Sequence, residues 1–86
     1  MMMIIFPDKE KETPKDWAFM EKSGEVLASM PDTWKAYPDN EAGMMSVIDM
    51  EYNELKNAMT DKDKSCELVH LASACLRMWR RLNHAE

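Results

Sequence analysis

Pro31 and Pro38 bracket a stretch through which no α-helix can run, because a proline inside a helix lacks the N–H its turn requires and its ring collides with the preceding turn. Residues 31–38 therefore form a connector, and the chain has to fold as helical segments on either side of it. Only two Gly and four Pro occur among the 86 residues, while 45% are hydrophobic and 31% charged, a balance that suits a helical globule rather than a disordered chain.

Ahead of the connector, Thr13, Pro14 and Asp16 mark a helix start: a capping hydroxyl, a proline where the N–H would be unpaired anyway, and an acid in the first turn. The helix is predicted to reach about Met30. Trp17, Met20, Gly24 and Leu27 form one stripe on it, and Phe19, Val26 and Met30 form a second, so two packing partners are expected. Residues 1–12 show no sustained period and end in the charged run Asp8-Lys9-Glu10-Lys11-Glu12, which reads as a tail or an exchanging arm. Residues 13–86 then make a single helical domain.

Beyond the connector, Asp39 or Asn40 can cap a second helix running to about Met59, with Met44, Ile48, Leu55 and Met59 on one face. Thr60 to Ser65 is a polar turn. A third helix is predicted from about Asp63 to Asn83, its stripe formed by Leu68, Leu71, Ala72, Cys75, Trp79 and Leu82. The expected fold is all-α: a three-helix chain whose last two helices form an antiparallel hairpin. So short a chain, with two apolar faces on one helix, is expected to complete a helical bundle by homo-oligomerisation.

The formal charge of −5 works against long-range attraction to nucleic acid or to an anionic membrane surface, so neither is expected as a partner. Small anions would need a bridging cation. Met1 to Phe6 is apolar but too short for a signal-peptide core or a membrane span, and the cytoplasm is the expected location. Cys66 and Cys75 lie in one predicted helix, about 13 Å apart along its axis, too far for a disulfide with each other. Buried, reduced thiols are expected.

Advancing about 100° per residue along the second helix puts Glu51 between Ile48 and Leu55, near the centre of the apolar face. Glu54 lies one turn on, at the shoulder of that stripe, where two like charges repel. On the facing helix Glu67 and His70 are again three apart, and Ala74 continues their line with a small side chain that leaves room. Carboxylates taken out of water are destabilising unless paired or bound to a cation, and a divalent cation is the simplest partner for this group. The competing arrangement turns Glu54 and Glu67 to solvent, pairs Glu51 with an arginine such as Arg77, and hydrogen-bonds His70 to Glu67.

The spacing Glu51-x-x-Glu54 followed by Glu67-x-x-His70 resembles the E-x-x-E, E-x-x-D signature of the MazG-like all-α nucleoside triphosphate pyrophosphohydrolases. The text around it, Asp49-Met-Glu-Tyr-Asn-Glu-Leu and Cys66-Glu-Leu-Val-His-Leu-Ala-Ser-Ala-Cys-Leu-Arg-Met, looks like the helix pair of small phage and bacterial members, over roughly Ala42 to Leu82. The resemblance implies Mg²⁺ held by Glu51, Glu54 and Glu67, and hydrolysis of a nucleoside triphosphate to a monophosphate and pyrophosphate. It also implies a homodimer or homotetramer. His70 departs from the pattern: it replaces an acid with an imidazole, which Mg²⁺ binds poorly and Mn²⁺ accepts. A catalytically degenerate module that binds nucleotide or protein is the alternative expectation.

Three cations are candidates for holding phosphate. Lys35 shares the connector with Trp34 and Tyr37, which either anchor the loop on the core or stack a base. Arg77 and Arg81 follow the acidic motif, where they either hold a phosphate or offset the helix dipole from a solvated position.

Overall fold

The computed structural model describes residues 14–84. They form three α-helices: α1 (Pro14–Ser29), α2 (Glu41–Asn57) and α3 (Asp61–Asn83), with a 3-10 turn, Asp32–Ala36, between α1 and α2. Among the described residues there is no strand, and no helix there is long and apolar enough to cross a membrane. Thr13 and the 1–12 segment lie outside the described residues.

Local chemistry sets the boundaries. Helix α1 ends at Ser29, and Met30 after it takes the left-handed conformation (φ 54°) just before Pro31. Asn40 caps α2, its side chain accepting from the Gly43 N–H at 2.8 Å, and Thr60 caps α3 by accepting from the Asp63 N–H at 3.0 Å. With that cap, α3 starts two residues before the predicted Asp63. Helix α2 stops at Asn57, short of Met59; Met59 is 87% exposed and does not join the Met44–Leu55 face.

Helix α3 packs against both α2 and α1. The core gathers where the connector meets the hairpin: Trp34, Val47 and Ala74 are buried together, with Val26, Leu27, Met30, Tyr37, Ile48 and Met50 packed around them. Trp34 is 1% exposed, so it anchors the loop, and its ring has no free face for a base. Helix α1 meets α3 through the Ser73 hydroxyl, 2.8 Å from the Ser23 carbonyl and 2.7 Å from the Val69 carbonyl. The first helix thus buries Ser23 as well as apolar residues, while Trp17 and Phe19 stay exposed.

The sequence-predicted stripe on α3 is largely turned outward. Leu68, Trp79 and Leu82 are exposed, as are Cys66 and Cys75, which were expected to be buried. The buried side of α3 carries Ser73 and Ala74, one turn beyond His70. Periodicity locates an apolar face but not what covers it, and here the hairpin covers the small-residue side. The Cys75 thiol is nonetheless pushed up by partial burial, which keeps it protonated.

Candidate metal centre

The hairpin brings Glu51 of α2 against Glu67 and His70 of α3. Glu51 is 2% exposed, and its Oε2 accepts a 2.7 Å hydrogen bond from Trp34 Nε1. Its second oxygen, Oε1, has no hydrogen-bond partner, and neither does the buried Oε1 of Glu67. His70 Nδ1 stands 3.4 Å from Glu67 Oε1 and 3.8 Å from Glu51 Oε1, both beyond good N–H···O range. One ligand atom from each of the three side chains lies within 4.8 Å of the others.

Two orphaned oxygens, withdrawn from water and facing one imidazole, make a strongly unfavourable group as it stands. A buried acceptor without a donor typically costs about 1–3 kcal/mol, and more when charged. Oxygen and imidazole donors converging at this spacing form a set that a divalent cation would satisfy.

Glu54 is placed differently from the other three. It is exposed and lies outside the converging trio, yet its carboxyl is held above the ordinary value of 4.5. Partial burial of the carboxyl is the largest cause, followed by the negative charges of Glu51 and Glu67 and a proton shared with Glu67, with His70 pulling the other way. All four residues of the predicted motif therefore sense one another, but three converge and one flanks. Glu54 also lines a shallow depression with Tyr37, Asp49 and Asn53.

The arrangement that pairs Glu51 with Arg77 does not occur. Arg77 lies 3.4 Å from Asp39 and stacks 5.9 Å from the Trp34 ring, and Arg81 is 3.9 Å from the same aspartate. Lys35 pairs with Asp32 at 3.1 Å on the exposed connector. Each of the three candidate phosphate-binding cations thus has an acidic neighbour, Asp32 for Lys35 and a shared Asp39 for Arg77 and Arg81. The residue that sequence reasoning missed is Trp34 as the partner of Glu51; a buried indole N–H requires an acceptor, but nothing in the sequence says which.

No family model, no curated protein and no solved structure matches this chain. Its class rests on its own geometry: the described residues form three α-helices and no strand, with a carboxylate–imidazole cluster between the second and third.

Proposed function

We propose that this protein is a divalent-metal-dependent nucleoside triphosphate pyrophosphohydrolase of MazG-like type, with Glu51, Glu67 and His70 as the metal ligands and Glu54 beside them. The observation that carries the reading is the pair of partnerless buried carboxylate oxygens, on Glu51 and Glu67, facing His70 Nδ1. A cation there would neutralise phosphate charge and lower the pKa of an attacking water.

The chain's own residues supply the rest. Trp34 holds the Glu51 carboxylate in one orientation, so that its free oxygen faces the cluster. Glu54, whose carboxyl is held above its ordinary value by partial burial and by the charges of Glu51 and Glu67, flanks the cluster where it can take a proton from water near the site. The reaction adds water at the α-phosphorus and breaks the bond to the β-phosphate bridge, giving a nucleoside monophosphate and pyrophosphate. Mn²⁺ suits a site with one imidazole better than Mg²⁺ does.

The chain works as a homodimer or homotetramer in this reading. Trp79 and Leu82, exposed on the outer side of α3, supply apolar surface for a second copy.

Pyrophosphate release from a panel of nucleoside triphosphates, with Mg²⁺ and then with Mn²⁺, tests the function. Metal-stimulated release that is lost in Glu67→Gln supports it. Metal binding without release from any triphosphate would leave the cluster as the site of a binding module and overturn the enzymatic reading.

A further inference from the structure

On the side of the Ser23–Ser73 contact where α1 runs back to Lys15 and α3 back to Lys62, the two helices enclose an open groove of about 820 Å³. Its apolar wall includes Phe19, Val26 and Leu68. Lys15, Lys22 and Lys62 line it as well, against a single acid, Glu25. None of these lysines forms an ion pair among the described residues, in contrast to Lys35, Arg77 and Arg81. His70 belongs both to this groove and to the carboxylate cluster.

In a chain of net charge −5, three lysines lining one apolar cleft, none with an ion pair among the described residues, are a local reversal of sign. A ligand that fits must be anionic at one part and flat and apolar at another. It must also be small enough for a cleft within the usual range of small-molecule sites, about 300–1,000 Å³. Because the groove shares His70 with the cluster, its anionic part would also meet the metal ligands. A nucleoside triphosphate has this combination, whereas an extended acidic peptide has no reason to end at a metal-ligating imidazole.

We propose that the α1–α3 groove is the nucleotide site, with Lys15, Lys22 and Lys62 holding the phosphates and Phe19, Val26 and Leu68 receiving the base. This rests on the metal-dependent reading above and replaces Lys35, Arg77 and Arg81 as the phosphate-binding residues. Lysine ammonium groups act here as point charges on flexible stems, which suits a polyphosphate that is drawn in and then repositioned.

The experiment is calorimetric titration of the full chain, with Mn²⁺ present, using an α,β-methylene nucleoside triphosphate and, separately, inorganic tripolyphosphate. Lys22→Glu and Lys62→Glu should each weaken both probes roughly tenfold, as expected for losing a charge-assisted contact and adding a repulsion. Lys56→Glu, on α2 and away from the groove, should leave both affinities unchanged. Phe19→Ala should weaken the nucleotide and spare tripolyphosphate. Unchanged affinity in both groove-lysine variants, or weakening by Lys35→Glu or Arg81→Glu in their place, would overturn the proposal. The two readings fail separately. If wild type releases pyrophosphate while the groove lysines prove irrelevant, the groove falls and the function stands. If the nucleotide binds in a lysine-dependent way with no pyrophosphate released from hydrolysable triphosphates, the function falls and the groove stands.

Discussion

Trp34 and Glu51 are joined by a buried 2.7 Å hydrogen bond, from the indole Nε1 to the carboxylate Oε2, that links the connector to the centre of α2. Because that bond uses one oxygen, the other is left to face Glu67 and His70. Trp34→Phe keeps an aromatic ring but strands the second oxygen. The variant should lose about 1–3 kcal/mol of stability from the unsatisfied carboxylate, with a further loss from the smaller ring. Mn²⁺ affinity should fall with it, as Glu51 loses its fixed orientation. Urea denaturation and Mn²⁺ titration of the same variant check both parts; full metal affinity in the variant would show that Trp34 only packs.

Glu54 sets a pH dependence with a defined sign. Its folded carboxyl is held above its ordinary value of 4.5, so the folded state binds the proton more tightly than the unfolded state. Its contribution to stability is therefore full below 4.5 and is lost as pH rises through the raised folded value. Glu54→Gln removes that loss. In the absence of metal the variant should gain stability over wild type as pH is raised from the carboxylate range to neutrality, and thermal melts across that range check it. A difference that does not change with pH would contradict the electrostatic cause.

The two glycines separate close packing from open space. A Cβ on Gly43 would overlap the Pro38 carbonyl, whereas one on Gly24 meets nothing within 4 Å. Gly43→Ala forces the turn before α2 to move and should cost about 1–3 kcal/mol. Gly24→Ala, in the interior of α1, should instead stabilise by roughly 0.5–1 kcal/mol. Equilibrium unfolding of both variants checks the opposite signs.

Trp79 and Leu82 are 62% and 55% exposed on the outer side of α3, an arrangement that a second copy would cover. Light scattering at micromolar concentration should give a dimer or tetramer mass, and Trp79→Lys should shift it toward monomer without unfolding the helices. A monomer mass for the unaltered chain would contradict the proposed assembly.

Much of this was legible in the sequence because it is local. Pro31 and Pro38 ended α1 and delayed α2, and the phase of a helix places Glu51 inward from its neighbours Ile48 and Leu55 alone. Glu67 and His70 were placed only at the flank of the predicted α3 stripe, three residues apart. What was not legible depends on contacts distant along the chain. The outward turn of Leu68, Trp79 and Leu82 depends on which side of α3 the hairpin covers, and the choice of Ser73 and Ala74 comes from the close approach of α1 and α2. The Trp34–Glu51 bond spans 17 residues and needs the 3-10 turn to carry the ring inward. The acidic partners of Arg77 and Arg81 lie before α2, on a residue that periodicity treats only as a cap candidate.

The proposed chemistry depends most on the convergence of Glu51, Glu67 and His70 on a cation. Calorimetric titration of the metal-free protein with Mn²⁺, beside Glu51→Gln, tests it most directly. The glutamine keeps an acceptor for Trp34 and preserves the side-chain shape, so the fold should survive while one charged ligand is lost. One Mn²⁺ per chain should bind the unaltered protein, more tightly than Mg²⁺, and Glu51→Gln should weaken it by roughly 100-fold, about 2.7 kcal/mol. Equal Mn²⁺ affinity in the two proteins, or no saturable binding in either, would contradict the metal centre.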